Sequence, residues 1–173
     1  VASGISRTFQ NIRLFKDLSV WQNIWVALQQ DSDQSSGWMQ EWFGNSKVQK
    51  EEIKEILVFS GLGDRFNDLA GNLSFGEQRR LELARAIASK PKLILLAEPA
   101  AGMNSDEVAD LRQRLLDLKK LGLTVLLVEH VMELVMNVVD RIVVLNFGKK
   151  IAEGSPENIQ NNEYVQKAYV GGA

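Results

Sequence analysis

Cysteine is absent from the 173 residues, and histidine occurs only once. Without cysteine the chain has no disulfide framework and no thiolate metal site, which fits a reducing compartment. No apolar run reaches the roughly 18 residues of a membrane-spanning helix, and the first residues lack the layout of a signal peptide. The formal net charge of −2 gives no electrostatic case for a nucleic-acid partner. The composition is that of an ordinary globular domain.

One stretch, residues 73–99, organises the rest of the chain. Good helix formers follow Gly76, and Leu81, Ala84 and Ala88 recur at helical spacing, which predicts a helix over residues 76–89 that ends before Pro91. The apolar run over residues 93–97 then predicts a parallel strand that is covered on both faces.

Chemically useful groups lie at both ends of this stretch. Glu98 follows the predicted strand, at the sheet edge where open α/β sheets bind ligands, and its carboxylate suits a base or a metal partner. The Ser74 hydroxyl and the first backbone amides of the helix suit an anion.

The remaining segments alternate between helix and strand patterns. We predict helices over residues 17–30 and 47–60, a short helix and turn over 64–72, and a helix that Asn104 and Glu107 open as a capping box. A buried strand over residues 124–128, a helix over 131–139, a hairpin over 140–154 and two terminal helices follow. Residues 31–46 are predicted to be an insertion, for which we have no mechanism.

Taken in order, these residues resemble a known family. Leu-Ser-Phe-Gly-Glu-Gln at residues 73–78, followed by Leu-Ile-Leu-Leu-Ala-Glu-Pro at 93–99, is similar to the signature motif and Walker B strand of ATP-binding-cassette (ABC) ATPases. With Ala-Ala-Gly-Met-Asn at 100–104, the pattern resembles the ATPase subunits of branched-chain amino-acid importers. The resemblance implies an α/β fold, a partial P-loop NTPase core with parallel strands plus an α-helical subdomain.

The resemblance also implies a division of the chain. Residues 1–15 are the Q-loop segment of the core, and residues 16–90 are the helical subdomain, ending in the signature motif and its helix. Residues 91–155 are the α/β core with the Walker B, D-loop and H-loop positions, and residues 156–173 are C-terminal helices.

Residue roles follow from the same resemblance. Glu98 stands at the general-base position, Gln10 at the Q-loop glutamine and His130 at the H-loop histidine that contacts the γ-phosphate. Taken alone, Gln10 is an ordinary polar loop residue and His130 an ordinary structural histidine. The expected nucleotide-binding residues, which act on ATP held by another subunit, are Ser74, Phe75, Gly76, Glu77, Gln78 and Asn104.

Two departures from the family pattern bear on activity. No Gly-x-x-x-x-Gly-Lys-[Ser/Thr] phosphate loop occurs in the 173 residues, so the chain resembles the carboxyl-terminal two-thirds of the family domain. Ala97 stands where Walker B has an aspartate that helps to hold Mg²⁺, and a methyl group offers the metal no lone pair. ATP and Mg²⁺ are the family's cofactors, and we expect this chain alone to bind neither and to hydrolyse no ATP.

The expected partners also come from the family. They are transmembrane permease subunits and a second ATPase subunit, with the chain cytoplasmic and peripheral to the inner membrane. Trp21 and Trp25 are either core residues or part of the groove for a permease helix. The alternative function is a non-enzymatic module that binds a partner or associates with itself as a homo-oligomer.

Overall fold

The computed structural model describes residues 4–28 and 46–170. It divides into two compact units, Val1–Glu129 and His130–Ala173. Residues 29–45 lie outside the described residues, and with them most of the segment 31–46 that was predicted as an insertion, including Trp38, Trp42 and Phe43. Within the described part of the chain, no helix has both the length and the apolar character needed to cross a membrane.

The first unit contains three strands and four α-helices among its described residues. In chain order they are β1 (Ile5–Arg7), α1 (Val20–Leu28), α2 (Ser46–Phe59), α3 (Phe75–Ala88), β2 (Leu93–Ala97), α4 (Ser105–Lys120) and β3 (Thr124–Val128). The segment predicted as a short helix and a turn forms two 3₁₀ turns, Gly63–Arg65 and Ala70–Asn72.

The three strands form one parallel sheet in the order β1-β2-β3. Ile5 pairs with Leu93, and Leu93 pairs with Thr124, so the carboxyl ends of all three strands lie along one edge. This edge carries the residues that follow Arg7, Ala97 and Val128. The residues predicted to form the site can therefore lie close together, because the parallel strands that precede them end at the same edge of the sheet.

Three helices enclose the main apolar core of the first unit. The predicted faces of α1 and α3 are buried, with Val20, Ile24, Leu81 and Ala84 fully inaccessible. They pack in one cluster with Ile53 and Leu57 of α2. The tryptophans Trp21 and Trp25 lie beside this cluster and are only partly buried.

The prediction of a buried strand over residues 124–128 is wrong, because no residue of β3 is buried. The strand over residues 93–97, predicted to be covered on both faces, is buried on one face and half-buried on the other. Ile94 and Leu96 are 0% and 2% exposed, but on the opposite face of the sheet Leu126 and Val128 are 56% and 61% exposed. The helices α3 and α4 cover the same face, since Leu83 and Leu111 line one small cavity with Leu96.

The second unit begins with α5 (Met132–Val138) and continues with β4 (Ile142–Asn146) and β5 (Lys149–Gly154). The two strands pair antiparallel as the predicted hairpin, with the turn at Phe147-Gly148. The helices α6 (Pro156–Gln160) and α7 (Glu163–Val170) follow. Ser155 caps α6 and proline occupies its first turn, which is the arrangement that the sequence predicts.

Candidate functional site at the carboxyl edge of the sheet

Gln10 and Glu98 meet at the carboxyl edge of the sheet. Gln10 Nε2 donates a hydrogen bond to Glu98 Oε2 over 3.0 Å, although 88 positions separate the two residues in the chain. The contact arises because β1 and β2 are parallel neighbours that end at the same edge. An amide and a carboxylate held this way place a hydrogen-bond donor directly beside a potential general base.

The backbone of Glu98 adopts a left-handed conformation, with φ of 48°. A non-glycine residue in this region is uncommon and is held there by its surroundings. Glu98 N donates to Val128 O over 2.8 Å, and in the turn that follows Ala100 N donates to Glu129 Oε1 over 2.9 Å. Residues at the end of β3 therefore fix the turn that presents the Glu98 carboxylate.

The signature segment begins the helix α3. Ser74 is the N-cap and Glu77 completes a capping box: Glu77 N donates to Ser74 Oγ over 3.3 Å, and Ser74 N donates to Glu77 Oε2 over 2.8 Å. Gln78 Nε2 donates to Leu73 O over 2.9 Å. The capping box thus uses the Glu77 carboxylate at the helix end that was predicted to bind an anion.

Glu77 also pairs with Arg65, whose Nε lies 3.0 Å from Glu77 Oε1. Partial burial alone would raise the pKa of Glu77, but the hydrogen bonds with Ser74 and the ion pair with Arg65 outweigh it and hold this pKa below its ordinary value of 4.5. The hydrogen bond between Arg65 and Glu77 raises the pKa of Arg65. Glu77 is therefore ionised at neutral pH, at the positive end of the α3 dipole.

Asn104 lies beside the signature segment at the start of α4. It caps α4 with Glu107, because Glu107 N donates to Asn104 Oδ1 and Asn104 N donates to Glu107 Oε2, each over 3.0 Å. The Glu107 carboxylate approaches Gly76 so closely that a side chain at Gly76 would collide with it. Contacts within one chain therefore join the signature segment to the start of α4.

Two charged residues of α3 belong to this site and were not predicted. Arg79 Nη1 donates to Phe9 O over 3.0 Å, and Arg79 Nη2 donates to Gln10 O over 2.6 Å. Glu82 accepts from Phe9 N over 3.4 Å and pairs with Arg79 over 3.3 Å. Their spacing of three residues on a largely buried helix was the available sequence signal, since charges there are rarely left unpaired.

His130 is the first residue of the second unit, two residues beyond the end of β3. Its proposed contact with a γ-phosphate stays a prediction. The roles predicted for Gln10, Glu98 and the signature residues also stay predictions. The structure shows the hydrogen bond between Gln10 and Glu98 and the hydrogen bonds within the signature segment.

Comparison with known proteins assigns the family. The sequence model of the ABC transporter family matches residues 1–101, and the model described as branched-chain amino acid ATP-binding cassette transporter matches residues 149–173. The chain belongs to the ABC transporter family. This confirms the resemblance that the signature and Walker B segments indicated.

Individual ABC proteins are similar over nearly the whole chain. The high-affinity branched-chain amino acid transport ATP-binding protein BraF of Pseudomonas aeruginosa is 39% identical over 178 residues, covering 98% of this chain and 69% of that protein. The corresponding LivG protein of Escherichia coli is 39% identical over 176 residues, with the same two coverages of 98% and 69%. The expected relation to ATP-binding proteins of amino-acid transport is thereby confirmed.

Solved ABC structures share the fold. The ADP conformation of the ATP-binding cassette MJ1267 matches with a TM-score of 0.76 and 29% identity, over 97% of this chain and 68% of that one. The dimeric ATP-binding cassette MJ0796 with ADP and Pi matches with a TM-score of 0.73 and 26% identity, over 88% and 62% of the two chains. The predicted α/β ABC ATPase fold is confirmed.

ABC proteins use ATP and Mg²⁺, and the two halves of this site fit them unequally. At the sheet edge, Ala97 offers no ligand atom, and the described residues contain no cluster of three or more acidic, histidine or cysteine side chains that could hold a metal ion. Mg²⁺ prefers six oxygen ligands in octahedral geometry, so these residues do not make a Mg²⁺ site by themselves. The first-turn amides and the Ser74 hydroxyl at the start of α3 are groups that suit a phosphate, but the Glu77 carboxylate already accepts the Ser74 amide there and its negative charge opposes a second anion.

Proposed function

We propose that this chain works within the ATPase subunit of an importer for branched-chain amino acids. The hydrogen bond between Gln10 and Glu98 carries the proposal, because it joins the Q-loop and general-base positions at the edge where such sheets bind ligands. The names of the BraF and LivG relatives and the match at residues 149–173 support the substrate class.

Uptake by cells that carry the gene tests the substrate class. Deletion of the gene is expected to lower uptake of labelled leucine, isoleucine and valine and to leave uptake of labelled lysine unchanged. Complementation with the gene should restore the three apolar substrates. Equal uptake of leucine with and without the gene would contradict the proposal.

The finer part of the proposal is that these 173 residues neither bind nor hydrolyse ATP on their own. The 173 residues contain no phosphate-loop motif whose backbone amides and lysine would hold the nucleotide. Ala97 also removes a carboxylate contact to Mg²⁺, and loss of one such well-aimed contact costs about 10² to 10³ in rate. Titration calorimetry with Mg-ATP is expected to show no heat up to millimolar nucleotide. Binding in the micromolar range would refute this part.

The signature segment is proposed to act on ATP held by a second subunit. Ser74 and Gly76 at the start of α3, with Asn104 alongside, would face the γ-phosphate across a head-to-tail dimer. Adding this chain to a complete ATP-binding partner subunit is expected to raise the ATP turnover of that subunit. Ser74→Ala should remove the increase, whereas Ser155→Ala, which deletes a similar helix cap in the second unit, should retain it.

A permease partner is proposed to dock on the helical part of the first unit. Trp21 stacks on Phe66 with ring centroids 6.1 Å apart, and both rings line an apolar cavity of about 500 Å³ together with Trp25. Large aromatic surfaces of this kind are suited to receive a helix from a partner. Trp25→Ser is expected to weaken co-purification with the permease, and Val58→Ser, on the exposed side of α2, is the matched control.

The second candidate is a non-enzymatic module that associates with itself. The open face of the sheet favours it, because Leu126 and Val128 are more than half exposed on β3. Light scattering after size-exclusion chromatography is expected to show an oligomer. Leu126→Ser with Val128→Ser should shift it toward the monomer, and Leu121→Ser, which is 76% exposed elsewhere, should not.

A further inference from the structure

We propose that Arg79 and Glu82 are positioning residues that hold Gln10 against Glu98. The role in catalysis rests on the proposed function of Gln10, but the positioning itself is a property of the folded chain. The signature helix α3 carries both charges and fixes the backbone of the Q-loop segment.

The ordered hydrogen-bond ladder of the sheet ends just before Gln10. Thr8 N donates to Leu95 O over 2.9 Å, and no strand or helix includes residues 8–18. The Gln10 side chain is exposed, so packing does not fix its direction. Another group must therefore hold the backbone from which this side chain reaches Glu98.

The side chains of Arg79 and Glu82, both on α3, hold this backbone. The Arg79 guanidinium spans two successive carbonyl oxygens, those of Phe9 and Gln10, while Glu82 accepts the Phe9 amide. A guanidinium presents its donors in a fixed planar fork, so two simultaneous bonds fix orientation as well as distance. The backbone of Phe9 is thereby held at both its N–H and its C=O.

The burial of this pair indicates a positional role. Arg79 and Glu82 are each 7% exposed, and a buried ion pair often contributes little net stability compared with well-packed apolar residues. A second arginine of the same helix, Arg85, donates to Arg13 O and lies 4.9 Å over the Phe15 ring. The segment between β1 and α1 is therefore attached to α3 at two places, and the first is next to Gln10.

The matched variants are Arg79→Met and Arg80→Met. Arg80 is the neighbouring residue on α3 and pairs with Asp110 over 3.6 Å, away from the Q-loop backbone. Arg79→Lys is the conservative variant, since one ammonium cannot reproduce the planar fork. If Arg79→Met fails to fold, Arg79→Met with Glu82→Met removes both buried charges together and replaces them with apolar side chains.

The first readout is the ¹H–¹⁵N resonance of the Gln10 side-chain amide in the nucleotide-free chain, assigned by its loss in Gln10→Ala. In the wild type and in Arg80→Met, Glu98→Ala is expected to shift this resonance. In the Arg79→Met background the same Glu98→Ala change should produce no shift, because Gln10 no longer rests on Glu98. Arg79→Lys should give an intermediate shift.

The second readout is hydrogen exchange of the Phe9 amide, with the amides of α1 as the internal reference. Arg79→Met is expected to speed exchange at Phe9 about tenfold or more, with α1 unchanged, because the carbonyl and amide bonds of one residue open together. An undiminished Glu98-dependent shift in Arg79→Met, or unchanged Phe9 exchange, would overturn the proposal. Neither readout requires ATP, so a failure here is distinct from a failure of the proposed function.

Discussion

The ring of Phe75 lies against the backbone of Gly102. A Cβ built on Gly102 would stand 2.9 Å from Phe75 Cε1, closer than a side-chain carbon normally approaches another carbon. Gly102 also has φ of 76°, in the region that L side chains rarely adopt. The first residue of α3, Phe75, thus packs its ring against the α-carbon of Gly102 in the turn before α4.

Gly102→Ala is expected to destabilise the chain through two separate effects. The left-handed backbone costs a Cβ-bearing residue about 1 to 2 kcal/mol. The contact with Phe75 adds a smaller overpacking cost, because the Phe75 ring is 48% exposed and can turn away. Urea unfolding followed by circular dichroism measures the sum. Adding Phe75→Ala should recover the overpacking part and leave the backbone part.

Gly122 provides the matched control for this prediction. It has a similar φ of 83°, but no atom lies within 4 Å of an added Cβ. Gly122→Ala should therefore show the backbone cost alone, which Phe75→Ala does not relieve. Equal costs at the two glycines, with no recovery at Gly102, would show that the Phe75 contact is not tight.

The charge on Glu77 is expected to stabilise the fold in a pH-dependent way. Its pKa is lower in the folded chain than its ordinary value of 4.5, so the stabilisation is present above that value and is lost as the pH falls through the folded pKa. Glu77→Gln keeps a capping oxygen but removes the charge, and we expect it to cost about 0.5 to 1 kcal/mol at pH 7. Unfolding curves at several pH values measure the difference.

The difference between the wild type and Glu77→Gln should shrink below pH 4.5 and vanish in strong acid. Arg65→Met should reduce the same difference at pH 7, since it removes the ion pair that lies 3.0 Å away. A cost that stays constant from pH 7 to strong acid would mean that the charge of Glu77 plays no part.

Glu129 is expected to stabilise the turn after Glu98 through its acceptor oxygen. Ala100 is 3% exposed, and its N–H donates to Glu129 Oε1. Leaving a buried amide without an acceptor costs about 1 to 3 kcal/mol, so Glu129→Ala should be destabilising by that amount and Glu129→Gln by less. Chemical unfolding compares the two variants, and an equal loss in both would assign the effect to charge rather than to the hydrogen bond.

The sequence predicted most elements because local patterns and tertiary contacts agree there. Asn104 and Glu107 form the capping box that their spacing indicated, and the strand over residues 93–97 has the predicted bounds. The motif order also predicted that Gln10 and Glu98 belong to one site, since two parallel strands end beside each other. Each of these features is determined by residues close in the sequence or by the pairing of two strands, which is why the sequence could indicate it.

Other features depend on which surfaces meet, and local pattern does not contain that information. A largely apolar strand over residues 124–128 predicts burial, yet Leu126 and Val128 are exposed because α3 and α4 lie on the same side of the sheet. The contact of Arg79 with the Phe9 and Gln10 carbonyls joins positions about 70 residues apart, so no periodicity within α3 indicated its partner.

Arg114 is expected to be costly to replace on α4. Its guanidinium pairs with Asp110 through two bonds of 2.9 and 2.8 Å and also donates to Phe59 O, at the carboxyl end of α2, with 14% of the side chain exposed. Because it satisfies a helix-end carbonyl across two elements, Arg114→Met should cost about 1.5 to 3 kcal/mol in urea unfolding. Lys120→Met, on the same helix and 71% exposed, should stay within about 0.5 kcal/mol. A loss for Arg114→Met no larger than that of Lys120→Met would show that the bond to Phe59 O adds nothing to stability.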